Sequence, residues 1–134
     1  MLVSIVIPCY NSEFTIEKVV DLCMETFDGL DNYECEMVLV NDYSKDQTFE
    51  AITRAATKYP NVYGVNLARN FGQHAAIMAG LQYVHGDLVL GMDDDMQNHP
   101  SQIVQFLDKA EEGYDVVFGC YKERKHSFFK NVTG

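Results

Sequence analysis

Basic residues are scarce in this sequence. Ten Lys and Arg stand against twenty Asp and Glu, a formal net charge of −10 over 134 residues. A phosphate backbone would be repelled by such a chain, which excludes nucleic acid as the main partner. Long apolar runs are missing too, and none approaches the ~20 residues that cross a bilayer as a helix. The four cysteines, Cys9, Cys23, Cys35 and Cys120, include no C-x-x-C pair and no companion histidine spacing. They read as small buried hydrophobes in a reducing compartment, not as a disulfide or zinc framework. Asn131-Val132-Thr133 matches a glycosylation sequon, but with no signal peptide in the sequence the match is taken as chance.

Apolar residues are plentiful by contrast, at 47%, and at this length they suit one globular domain. They fall into alternating patterns. "LVSIVIP" (2–8) is a β-branched run suited to a strand buried on both faces. Ile16, Val19, Val20, Cys23 and Met24 recur at helical spacing within 13–27. A second strand is expected at 35–42, then a helix over 47–59 with Asp46 as its N-cap, and a third strand at 62–67. An Ala-rich helix follows at 73–84, then a fourth strand, "DLVLGM", after Gly86. Pro100 suits the first turn of the next helix, Gly113 its stop, and 115–120 a fifth strand. Strands alternating with helices imply an α/β fold: a mostly parallel sheet with helices on both faces.

Ligands of such sheets bind beyond the carboxyl ends of the strands, near the point where strand order reverses. Polar groups collect at those ends: Pro8-Cys9-Tyr10-Asn11, Asn41-Asp42-Tyr43-Ser44, Ala68-Arg69-Asn70 and Asp93-Asp94-Asp95. A calcium loop starting at Asp93 fails, because its sixth and twelfth positions are Asn98 and Val104 in place of Gly and Glu. No G-x-x-x-x-G-K is present, and no G-x-G-x-x-G follows the first strand. A phosphoacceptor signalling domain shares the alternation and a lysine, Lys122, after the fifth strand, but Cys9-Tyr10-Asn11 stand where its acidic pair belongs.

A metal–diphosphate site remains. In an extended segment residues i and i+2 point the same way, so Asp93 and Asp95 would share a face while Asp94 turns aside. Two carboxylates on Mg²⁺ or Mn²⁺ leave positions for water and phosphate oxygens. The bland alternative is a solvated acidic turn that caps the following helix.

Four blocks in order carry a resemblance: "VSIVIPCYNSE" (3–13), "VLVNDYSKDQT" (38–48), "NLARNFGQHAAIMAGL" (66–81) and "GDLVLGMDDDMQNHP" (86–100). Together they resemble family 2 glycosyltransferases of the GT-A, nucleotide-diphospho-sugar transferase type. Within that family the third and fourth blocks look most like enzymes that move a sugar onto a polyprenyl phosphate. Bacterial undecaprenyl-phosphate 4-deoxy-4-formamido-L-arabinose transferases are the nearer group and dolichyl-phosphate mannose synthases the more distant. The resemblance implies a three-layer Rossmann-like fold and inverting, metal-dependent transfer from a nucleoside diphosphate sugar, UDP-sugar favoured. It places Pro8, Tyr10, Asn11, Glu13, Asp42, Arg69 and Gln73 around the nucleotide, with Asp42 accepting from the base. It makes Asp93 and Asp95 the metal ligands, and gives Gln97 a place beside the diphosphate. Asp93, Asp95 and Gln97 are thus the expected catalytic set.

Three departures stand out. Ser12 occupies the usual acidic position, Tyr43 stands where glycine usually permits a tight turn, and family members continue well beyond residue 134. The whole of 1–134 then reads as the nucleotide-sugar-binding part of a longer enzyme. Residues 121–134 form a basic and aromatic tail leading to acceptor and membrane segments. The implied setting is the cytoplasmic face of the inner membrane, with self-association into a homo-oligomer left open. Two rivals stay open: transfer to a hydroxyl of a polysaccharide or surface glycan, and a non-catalytic nucleotide-sugar-binding fragment.

Overall fold

The computed structural model describes residues 1–95, 102–113, 116–119 and 128–129. Strand β1 (Leu2–Cys9) leads into helix α1 (Ile16–Asp28), then β2 (Glu34–Asn41) and α2 (Thr48–Lys58). β3 (Val62–Asn66), α3 (Gln73–Leu81) and β4 (Leu88–Gly91) follow. The described chain ends with α4 (Ile103–Glu111), β5 (Val116–Gly119) and the short β6 (Phe128–Phe129). One sheet takes the order β3-β2-β1-β4-β5-β6, parallel except for the antiparallel β5–β6 pair. The parallel α/β architecture expected from the alternation is therefore present. The sequence had not marked β6, which lies within the stretch read as a tail.

The β-branched runs become strands because both faces are covered. Val3, Ile5 and Ile7 of β1 pack into one cluster with α1, α2 and α4, through side chains such as Ile16, Val20, Ile52, Ile103 and Phe106. Val6, between them in sequence, points to the opposite face and packs with Val38, Val40 and Ala76. Each fully buried Val or Ile contributes roughly 1.5–3 kcal/mol. Among the described residues α3 is the one helix on that second face, and it lies close: a Cβ on Gly80 would come within 2.6 Å of Val6 Cγ1.

Helix ends follow local chemistry. Asp46, expected as the N-cap of α2, lies one residue before the observed N-cap, Gln47, and still does the capping: its Oδ1 accepts from the Thr48 N–H at 3.0 Å. Gly113, at φ +104°, stops α4 as expected. α3 ends at Leu81, not Val84, because Gln82 and Tyr83 form a turn in which the Tyr83 N–H donates to Gly80 O at 3.0 Å. The next amides are taken from outside: the His85 N–H donates to Glu36 Oε2 and the Gly86 N–H to Ser4 Oγ at 2.8 Å.

The chain runs outward from β1 through β2 to β3, then returns to β4 on the other side of β1. Strand order thus reverses between β1 and β4, and a crevice is expected beyond their carboxyl ends.

Candidate functional site

The β1–β4 ladder closes with Val6 opposite Gly91, and its last backbone–backbone bond is the Met92 N–H donating to Val6 O at 3.1 Å. Beyond it β1 continues through Cys9 paired with β2 only, while the chain after β4 turns away. A cavity of about 380 Å³ opens there. Five expected residues line it: Pro8, Tyr10, Asp42, Gln73 and Asp93. Cys9, Asn70, Gly72 and Asp94, which the sequence reading had not assigned, complete the wall.

A ring of hydrogen bonds closes around this cavity. The Asp42 N–H donates to Cys9 O at 2.9 Å, joining the ends of β1 and β2. Asp42 as a residue is 3% exposed, and its carboxylate accepts the Phe71 N–H at 2.8 Å and the Gly72 N–H at 3.0 Å, one on each oxygen. The Asn70 side-chain amide adds a bond to Asp42 O at 3.0 Å. Gly72 opens α3, whose first residue, Gln73, donates from Nε2 to Asp93 Oδ1 at 3.4 Å. Asp94 Oδ2 then accepts the Tyr10 N–H at 2.8 Å, returning to β1. Four segments distant in sequence are tied into one frame.

The remaining expected residues sit around the frame. Asn11, at φ +51°, donates its N–H to Ser44 Oγ at 3.0 Å, and its Oδ1 accepts from Lys45 N at 3.3 Å. Glu13 accepts from Gln47 N and donates its own N–H to Asp46 Oδ2, both at 3.3 Å. Both residues brace the loops after β1 and β2 outside the cavity wall. The Arg69 guanidinium lies 5.5 Å from the centre of the exposed Phe71 ring, a cation–π contact at the rim. Gln97 lies outside the described residues.

The acidic run differs from a continuing strand. β4 stops at Gly91 and Asp94 and Asp95 lie in a bend, so strand alternation does not set their directions. Asp94 turns toward the loop after β1, and its backbone carbonyl also accepts the Thr15 hydroxyl at 2.8 Å. Burial pushes its carboxyl above the usual range, with the charge of Asp95 adding to the rise and the Tyr10 amide and Ser12 hydroxyl pulling against it. Burial, then the nearby Asp94 charge, pushes the Cys9 thiol well up, which disfavours the reactive thiolate.

Hard oxygen donors suit Mg²⁺ or Mn²⁺, and the carboxylate of Asp93 at the cavity wall with Asp95 two residues on is such a set. Among the described residues no three His, Cys, Asp or Glu side chains converge to hold a metal on their own.

A family model described as Glycosyl transferase family 2 matches residues 4–133. The chain belongs to this family. It is 39% identical over 129 residues to the undecaprenyl-phosphate 4-deoxy-4-formamido-L-arabinose transferase of Edwardsiella ictaluri, covering 96% of this chain and 39% of that protein. The transferase of the same name from Aeromonas hydrophila subsp. hydrophila is 42% identical over 134 residues, covering 98% and 40%. The chain thus spans about two-fifths of the length of these curated relatives. Among solved structures, the mannosyltransferase PcManGT from Pyrobaculum calidifontis in complex with GDP-Man and Mn²⁺ superposes with a TM-score of 0.62 at 28% identity, covering 69% of this chain and 27% of that one. S. aureus TarS in complex with UDP-GlcNAc gives 0.66 at 26%, covering 84% and 32%. The resemblance carried by the four sequence blocks holds as a family 2 membership, and the cavity wall is built from residues of those same blocks.

Proposed function

We propose that this family 2 chain binds a nucleoside diphosphate sugar, a UDP-sugar in preference to a GDP-sugar, in the cavity between β1 and β4. Its enzyme would pass the sugar, with inversion, to a polyprenyl phosphate. One observation carries the reading: a cavity of about 380 Å³ at the strand-order reversal, walled by Tyr10, Asp42, Gln73 and Asp93, falls within the size range of small-molecule sites. The curated relatives that bear an undecaprenyl-phosphate transferase name support the acceptor.

Each side chain has a part in this reading. Tyr10 offers its half-exposed ring to the base. Asp42 has spent one acceptor position on each of two backbone amides; an ionised carboxylate has about four, so two remain for the base imide N–H. Asp93 and Asp95 would hold the Mg²⁺ or Mn²⁺, with Gln73 orienting Asp93. A bound cation supplies Lewis-acid stabilisation of the charge growing on the leaving diphosphate. Gln97 is assigned to the diphosphate and Arg69 to the phosphate or sugar. Asn11 and Glu13 set the loops that present Tyr10. An acceptor phosphate, with a second pKa near ~6, is already largely ionised at neutral pH and requires no base to remove a proton. The basic residues of the 121–134 segment would attract that phosphate at the cytoplasmic membrane surface. Among the described residues no helix is long and apolar enough to cross a membrane.

Calorimetry with UDP and GDP, with and without Mn²⁺, tests the donor site: Mn²⁺-dependent UDP binding that Asp95→Ala abolishes is expected. Metal-independent binding, or binding that the substitution leaves intact, overturns the assignment. Radiolabelled donor supplied to the full-length enzyme with undecaprenyl phosphate tests the acceptor. Label recovered only in water-soluble glycan would replace it with a hydroxyl acceptor.

A further inference from the structure

We infer that Asp94 is a positioning residue that couples the nucleoside side of the cavity to its acidic side, by holding the Tyr10 backbone from the loop that carries Asp93 and Asp95. This rests on the reading of the cavity as a nucleoside diphosphate site.

Three observations lead there. The β1–β4 ladder ends at the Met92–Val6 bond, so nothing in the sheet itself ties the two loops that follow. Asp94 reaches back over that gap twice, through its carboxylate to the Tyr10 N–H and through its carbonyl to the Thr15 hydroxyl, both at 2.8 Å. The residue after Tyr10, Asn11, holds the left-handed region at φ +51°, so the loop turns immediately beyond the amide that Asp94 holds. The bond from Asp94 is a charge-assisted restraint on the Tyr10 amide itself. Of three adjacent carboxylates, the central one thus faces the nucleoside wall and does its work through an accepted hydrogen bond. The charge strengthens that bond, but the role itself requires only an acceptor oxygen in that place.

The distinction between an acceptor oxygen and a charge makes the inference testable. Asp94→Asn keeps an acceptor oxygen and removes the charge, Asp94→Glu keeps the charge and displaces the oxygen, and Asp94→Ala removes both. Three probes separate the halves of the site in the full chain: uridine without metal followed by NMR, and Mn²⁺ with pyrophosphate and Mn²⁺ with UDP followed by calorimetry. Losing a hydrogen bond to an ionised group weakens binding by about ten- to hundredfold. Uridine and UDP should weaken on that scale with Ala and Glu and return to within about threefold of wild type with Asn. Mn²⁺–pyrophosphate should change little in all three. The opposite pattern, Glu tight and Asn weak with Mn²⁺–pyrophosphate altered, makes Asp94 a metal ligand and overturns the inference. Three variants all equal to wild type overturn it as well. Should Asp94→Ala not fold, the contrast between Asn and Glu decides. If the wild-type chain binds neither UDP nor GDP with Mn²⁺, the functional reading itself has failed, an outcome distinct from these.

Discussion

Gly72 donates its N–H to Asp42 Oδ2 at 3.0 Å while holding φ at +96°, a backbone conformation open to glycine and costly to other residues. A buried carboxylate just past the second strand thereby sets the angle at which the third helix begins, and with it the position of Gln73 beside Asp93. The conformation of one glycine is built into the cavity wall.

Gly72→Ala therefore has a matched control. Gly113 holds φ +104°, and at both positions an added Cβ would meet nothing within 4 Å. Each substitution should lower stability through backbone strain alone, by about 1–3 kcal/mol. Urea denaturation should return similar losses for the two variants. Calorimetry with UDP and Mn²⁺ should show weakened binding for Gly72→Ala and unchanged binding for Gly113→Ala.

Asp42→Ala leaves the Phe71 and Gly72 amides without their acceptors, at a cost of roughly 1–3 kcal/mol for each group stranded away from water. Asp42→Asn keeps one acceptor oxygen and should fall between wild type and Ala. The thermal midpoints should rank in that order. An Asn variant as unstable as Ala would mean that the two amides are satisfied together or not at all.

At Gly80 two effects oppose each other. Alanine favours a helix interior over glycine by about 1 kcal/mol. Its Cβ, however, would lie 2.6 Å from Val6 Cγ1 and 3.0 Å from Val40 Cγ2, side chains that are fully buried. Overpacking of this kind costs about 1–3 kcal/mol, so Gly80→Ala should destabilise. Adding Val6→Ala makes room for the new methyl group. A double-mutant cycle on unfolding free energies should then show the pair less destabilised than the sum of the single changes.

Glu36 links the opposite end of the sheet to pH. Burial pushes its carboxyl up, but the Ser4 hydroxyl, the His85 amide and the His85 ring together hold it below the ordinary range. Ser4 Oγ donates to it at 2.6 Å, and His85 Nδ1 lies 3.1 Å from Oε1. A carboxyl depressed on folding adds stability in full above the unfolded value of about 4.3 and loses it as pH falls through the folded pKa. Urea denaturation repeated from pH 7 to pH 3 should show this acid limb. Glu36→Gln should flatten it and cost about 1–3 kcal/mol at neutral pH.

Much of this was legible because the strands are buried on both faces. A run such as "VSIVI" has few other uses, and the stripe Ile16, Val19, Val20, Cys23 announces α1 by its spacing. Pro8, Tyr10, Asp42, Gln73 and Asp93 were legible as a group through the four sequence blocks. Tyr43 was legible as a strained substitution, and it does hold φ +57° where glycine is usual. The direction of Asp94 was not, because alternation presumes a strand that in fact stops at Gly91. Nor was the grip of Asp42 on Phe71 and Gly72, which joins residues about thirty apart without any local pattern. The end of α3 was hidden by its composition: apolar side chains all around a helix give no stripe whose loss would mark a boundary.

That same helix has a kinetic consequence. Three helices cover one face of the sheet and, among the described residues, α3 alone covers the other. Excursions in which α3 lifts from Val6, Val38 and Val40 would break the smaller of the two cores and carry Gln73 away from Asp93. Amide hydrogen exchange should accordingly be faster in α3 than in α1. A ligand that requires Gln73 in place suppresses such openings. The bound molecule would then register as slowed exchange along 73–81, distributed asymmetrically across the sheet.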